Sequence, residues 1–269
     1  MRLALLCGLT FFACSQEDAK PLPNDVRLQQ QEPAQIGVRE KLPFPASGVS
    51  IDSDGERYIW APGQGVVQLK RTGAEVVLPI SSLGERMYNS FEDLVIIDSN
   101  RLALIAQNEG IVVERTSGRI LSRFCYLPGG GPLNDPIEYQ LSRSLGYDPQ
   151  EDRLYVQPQT FPGGGTTANS SQLGLFDPGK DQPLEWQNFE QSTFNAGGMA
   201  VDTRARTYLG MGSRLYLYDA VTGNFGAWWE LAGKVQSIDG LALDRQNGSL
   251  LVLDARAGEL VELKINGLQ

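Results

Sequence analysis

The run Gly240-Leu241-Ala242-Leu243-Asp244, the polar turn Arg245-Gln246-Asn247-Gly248, and the returning run Ser249-Leu250-Leu251-Val252-Leu253-Asp254 decide the fold of this chain. A third segment, Glu259-Leu260-Val261-Glu262-Leu263, closes the unit after Gly258. Apolar runs of four to six residues bounded by turn signals read as strands buried on both faces. The third segment differs, because Val261, Leu263 and Ile265 alternate with Glu262 and Lys264, the pattern of a strand with one wet face.

Working outward, the same unit recurs. Its first strand and terminal aspartate return as Gly48–Asp52, Leu94–Asp98, Ser144–Asp148 and Gly198–Asp202. Each is followed by a second strand, at Arg57–Trp60, Arg101–Leu104, Arg153–Val156 and Arg206–Leu209. Third strands follow at Val66–Leu69, Ile111–Glu114, Leu173–Phe176 and Leu215–Tyr218, and Gly73, Gly118, Gly179 and Gly223 come after them. The five aspartates lie 42 to 54 residues apart, the spacing of four-stranded β-propeller blades. Helical signal is almost absent, with 30 Gly and 15 Pro falling mostly between strand candidates. The expected fold is therefore all-β, a propeller of five blades, with a sixth left open by the long stretches 122–143 and 161–171.

Each recurrent aspartate stands where its strand ends, so its carboxylate is expected to accept turn amides rather than to bind a ligand. The last unit lacks a fourth strand, whereas Gln35–Leu42 near the other end alternates like one. That segment is expected to join the last blade as its outer strand and remove an open edge. In Trp228-Trp229 strand alternation sends one ring into a blade interface and the other outward.

The unit 240–263, and in outline 48–69, resembles the blades of NHL-repeat and gluconolactonase-type propellers. That resemblance spans residues 43–266 as architecture and says little about function. It implies a divalent metal at the central channel, held by one Glu, two Asn and one Asp. The chain departs from that set: Asp239 replaces an Asn, Asp254 stands at the aspartate, and Ala46-Ser47-Gly48 occupies the place of the glutamate. Glu92 and Asp93 sit at the comparable place in the second unit. Glu92, Asp93, Asp239 and Asp254 are thus the candidate metal ligands, for an oxygen-seeking ion such as Ca²⁺ if any cofactor is used.

The ends place the domain. Met1-Arg2 and the apolar run Leu3–Phe12 form a signal-peptide pattern, too short to span a bilayer. Phe11-Phe12-Ala13-Cys14 then resembles the lipobox of bacterial lipoproteins, with Phe11 where leucine is usual. Lipidation of Cys14 is expected; the alternative is an ordinary signal peptide cut near Ala13. The division is a leader over 1–13, a lipidated N-terminus and flexible tether over 14–32, and a propeller over 33–269. The resemblance implies export and anchoring in the cell envelope, at the outer membrane. With 32 acidic against 23 basic residues the chain repels phosphate backbones, which excludes nucleic acid and leaves lipid, a protein or a small ligand as partners.

Zero histidines exclude a Ser-His-Asp triad, an imidazole metal site and a histidine base. Cys125 has no base to make its thiolate and is expected to be inert. The Gly-rich stretches holding Gly129, Gly130, Gly131 and Gly163, Gly164, Gly165 lack the Lys-Ser/Thr ending of a phosphate loop. On one rim of a propeller they would form part of a binding face. The composition thus favours a binding or scaffolding module over an enzyme, with a metal-dependent lactonase-type hydrolase as the alternative.

Overall fold

Strands that are apolar at every position have no side to offer to water, and here they are covered from both sides. A computed structural model describes residues 29–83, 91–106, 109–125, 139–161, 172–180, 183–188, 196–220 and 222–265. Two N-terminal strands, β1 (Gln29–Gln30) and β2 (Gln35–Lys41), precede the repeats. Blade 1 comprises β3 (Gly48–Ile51), β4 (Arg57–Ala61), β5 (Gly65–Lys70) and β6 (Gly73–Pro79). Blade 2 comprises β7 (Asp93–Ile96), β8 (Arg101–Ile105), β9 (Glu109–Glu114) and β10 (Ile120–Cys125). Blade 3 holds β11 (Tyr139–Asp148), β12 (Arg153–Phe161), β13 (Gln172–Phe176) and β14 (Pro183–Asn188). Blade 4 holds β15 (Gly198–Val201), β16 (Arg206–Met211), β17 (Arg214–Asp219) and β18 (Asn224–Glu230), and blade 5 begins with β19 (Gly240–Asp244), β20 (Ser249–Asp254) and β21 (Glu259–Lys264).

Within each blade successive strands pair antiparallel, and the first strand of each packs against the first strands of both neighbours, so that β3, β7, β11, β15 and β19 circle one axis. This is a five-bladed β-propeller. Of the stretches that left a sixth blade open, Ser122–Cys125 ends β10, and β11 and β12 make the inner hairpin of blade 3. Among the described residues the one helical element is a 3-10 turn at Ile80–Leu83.

Ring closure follows the expected route. β2 pairs with β21, Gln35 facing Lys264 and Lys41 facing Glu259, and supplies the fourth strand of blade 5. The residues before β2 do more than connect, for β1 lies parallel to β18 and gives blade 4 a fifth strand.

The core is divided among the blade interfaces. Trp60 meets Phe91 edge-on at 5.0 Å between blades 1 and 2, while Phe124 packs on Phe176 at 5.2 Å between blades 2 and 3. Leu209 and Tyr155 meet between blades 3 and 4, and Trp229 and Leu250 between blades 4 and 5. Leu253 and Ile59 close the circle between blades 5 and 1. Each interface is a small hydrophobic core, so no blade is stable without its neighbours. Trp229 is buried and Trp228 only partly so, as alternation requires.

The recurrent aspartates hold their turns. In Asp52, Asp98, Asp202 and Asp244 one carboxylate oxygen accepts two amides of the following turn at 2.7–3.1 Å, from Asp54 and Glu56, Asn100 and Arg101, Arg204 and Arg206, and Gln246 and Asn247. Asp148 does the same toward Gln150 at 2.9 Å and Glu151 at 3.5 Å.

Candidate functional site

The inner strands of a propeller turn one edge toward the axis, and the amides and carbonyls on that edge need partners. Here side chains supply them. Asp93 opens β7 and is 1% exposed. One of its oxygens accepts the Leu94 amide and the other the Leu145 amide of blade 3, both at 2.9 Å, and the Val49 amide of blade 1 bonds to the same carboxylate. A single side chain thereby ties three blades. Burial pushes its pKa well above the usual carboxylate range, opposed by the three amides and reinforced by the charge of Glu92. The Ser50 hydroxyl adds a link from blade 1 to the Ile96 amide at 2.9 Å.

At the other end of the inner strands Arg245 leaves the end of β19 and reaches across the axis. Its guanidinium donates to the carbonyls of Val201 at 2.8 Å and Tyr147 at 3.5 Å. Burial lowers its pKa, and the charges of Asp148 and Asp202 pull it back up. Between Asp93 and Arg245 lies a hollow of about 30 Å³, bordered by inner-strand residues such as Val49, Leu94, Leu145 and Leu241, whose side chains turn into the blade interfaces.

The candidate metal ligands separate into two pairs. Glu92 adjoins Asp93 in blade 2, and its own amide donates to the Ile105 carbonyl at 2.8 Å. Asp239 and Asp254 brace connections of blade 5. Asp239 accepts the Ser237 hydroxyl at 2.8 Å and the Ala255 amide at 2.9 Å, while Asp254, 1% exposed, accepts the amides of Gln236 at 2.6 Å and Ala257 at 3.0 Å. Among the described residues no three His, Cys, Asp or Glu side chains gather at metal-binding distance. The absence of a side chain at Gly48 has a steric reason: a Cβ there would stand 2.6 Å from an Asp93 oxygen.

Cys14, Gly129–Gly131 and Gly163–Gly165 lie outside the described residues, as does the Cys125 side chain. The strands that lead to the two glycine-rich loops are described, and Tyr139 pairs with Phe161. The residue that follows the first stretch and the residue that precedes the second are thus neighbours in blade 3.

Larger hollows open on the face that carries the aspartate turns. One of about 670 Å³ lies between blades 5 and 1, and another of about 600 Å³ between blades 1 and 2. Both are bordered by Asp54, Glu56 and Gln68. Beside the second, Tyr58 donates to Asp52 at 2.9 Å beneath the Arg115 guanidinium, 4.8 Å from its ring centre. Burial, with the bond to Asp52, raises the Tyr58 pKa to about 12. Sequence reasoning missed these hollows, since they form where turns of three blades meet and no local motif marks them.

No family model matches the chain, and no curated protein matches it. Among solved structures it is similar to a gluconolactonase from Xanthomonas campestris, with 13% identity over 81% of this chain and 71% of that one, at a TM-score of 0.52. At that identity the likeness is one of fold, and it bears out the propeller side of the resemblance seen in the sequence.

Proposed function

We propose that the chain is an exported, lipid-anchored propeller whose domain binds a protein or small ligand in the cell envelope rather than turning over a substrate on its axis. The observation that carries this reading is the plugged axis. Asp93 and Arg245 spend their hydrogen bonds on inner-strand amides and carbonyls, and the hollow between them is about 30 Å³, far smaller than those on the rim. Room for a ligand lies on the aspartate-turn face, where the two larger hollows have volumes typical of ligand pockets.

The likeness to a gluconolactonase is the ground for the competing reading, a metal-dependent lactonase. Two measurements separate them. Melting with and without millimolar Ca²⁺ or Zn²⁺, in the parent and in Asp239→Ala, is expected to show no metal-dependent rise, and lactone hydrolysis is expected to stay at the buffer rate. A rise lost in Asp239→Ala, together with turnover, would overturn the binding reading. Anchoring is tested apart from this: Cys14→Ser is expected to move the protein from the membrane to the soluble fraction.

A further inference from the structure

The two hollows on the aspartate-turn face differ in what their cations do. Around the one between blades 5 and 1, Arg57 is paired with Glu40 at 3.2 Å and Lys70 with Glu75, and apart from Leu69 and Gly55 every residue lining it is charged or an amide. The hollow between blades 1 and 2 has an apolar side. Val66, Val77, Ile96 and Leu102 border it, all belonging to the core between those two blades, and Arg115 is the one cation at its border.

Arg115 is held from several directions. Its amide donates to the Asn100 carbonyl at 2.8 Å, its Nη1 donates to the Asp98 carbonyl at 3.0 Å, and its guanidinium lies over the Tyr58 ring. The plane of the guanidinium is therefore set in advance. Its charge, however, is poorly met. Asp52 spends one oxygen on the amides of Asp54 and Glu56, and the other accepts the Tyr58 hydroxyl at 2.9 Å, so that Arg115 Nη2 comes no nearer to it than 3.4 Å. Tyr58 and Arg115 thus compete for one oxygen, and the tyrosine is the closer. A guanidinium has five N–H donors, of which these contacts use two. With the side chain only 17% exposed, the hollow is where the remaining donors find an acceptor.

We infer that the hollow between blades 1 and 2 takes a small carboxylate with an apolar body, the carboxylate paired by Arg115 and the body laid along Val66, Val77, Ile96 and Leu102. This deepens the binding reading above and rests on it. A planar guanidinium matches a planar carboxylate through two parallel hydrogen bonds, and one already fixed in place loses little freedom on pairing. Asp54 and Glu56 also border the hollow, but both are exposed, where water and salt weaken their repulsion, and Glu56 already accepts the Gln68 amide at 3.1 Å. An amine would gain from those two carboxylates and lose at Arg115, which makes it the contrasting probe.

Titration calorimetry with octanoate tests the inference, on the processed chain from Ser15 on, which keeps every described residue and carries no acyl chain of its own to compete. Octanoate is expected to bind with a dissociation constant on the order of 100 µM. Acetate offers the head without the body and octylamine the body with the opposite charge, and each is expected to bind at least ~10-fold more weakly. Arg115→Gln should weaken octanoate by ~10-fold or more. Because Arg115 also links two blades, a second variant keeps it in place: Ser99→Glu, in an exposed turn at the border of the hollow, offers the guanidinium a competing carboxylate, so it should weaken octanoate with the melting temperature unchanged. Octanoate that does not bind, that binds no better than octylamine or acetate, or that binds Ser99→Glu and Arg115→Gln as tightly as the parent would overturn the inference. Failure of octanoate in a protein inert to lactones and metals overturns this inference and leaves the binding reading standing; lactone turnover overturns that reading, whatever octanoate does.

Discussion

Replacing Asp93 with alanine should cost more stability than any other single carboxylate change in the wheel. The side chain is 1% exposed and accepts amides from Leu94, Leu145 and Val49. Each buried amide left without an acceptor costs about 1–3 kcal/mol. A water admitted to the vacated space would recover part of that, and so would relief from burying a carboxylate, so the net loss is about 3–5 kcal/mol. For a domain of this size that lowers the melting temperature by about 10 °C. Asp93→Asn keeps the shape but turns an NH₂ toward an amide donor, so it should fall between parent and alanine variant. The sign of the pH dependence adds a second check. Burial raises the folded pKa above its unfolded value, so the folded chain holds this proton more tightly. Its contribution is fully present below the unfolded pKa of about 4 and is lost as pH rises through the folded value. The stability gap between parent and Asp93→Asn should therefore change with pH on the acid side and flatten above it. Calorimetry or circular dichroism melts across that range decide the matter. An alanine variant within about 1 kcal/mol of the parent would refute the reasoning.

Deleting residues 33–42 removes β2 and opens blade 5, so the melting temperature should drop sharply; an unchanged value would rule out closure by this strand. Gly48→Ala places a Cβ 2.7 Å from the Asp93 Cα, a backbone contact that cannot rotate away, and should cost about 1–3 kcal/mol in denaturant unfolding. Arg245→Met keeps the length but leaves the Val201 carbonyl without its donor, a loss of about 1–2 kcal/mol by the same measurement. Asp98, held below the usual carboxylate range by the Arg101 guanidinium and two turn amides despite its partial burial, adds stability that is present above its unfolded pKa and lost as pH falls through its folded one. The Asp98→Asn variant should show a shallower acid decline in melting temperature than the parent.

What could be read from the chain follows from which interactions are local. The run Gly240–Asp244 announces a strand wet on neither face, and Asp244 announces its turn, because a carboxylate meets amides two and three residues on. The alternation of Gln35–Lys41 announced an edge strand with no partner nearby, and the unfinished last unit announced where it was needed. The long-range polar links were not legible in this way. Asp93 looked like one half of a Glu-Asp pair, and nothing in its neighbourhood says that one oxygen meets Leu145, 52 residues away. Arg245 read as one more polar turn residue, yet it spans three blades because five short inner strands leave an axis narrow enough for one guanidinium to cross. Narrowness also bears on the ligand-binding resemblance. The first positions of the inner strands crowd the axis, so that Gly48 and Gly198 have no room for side chains and the carboxylate of Asp93 turns to backbone amides. A metal site needs several carboxylates aimed at one point with space between them, whereas Asp93 spends its two oxygens on the amides of Leu94 and Leu145.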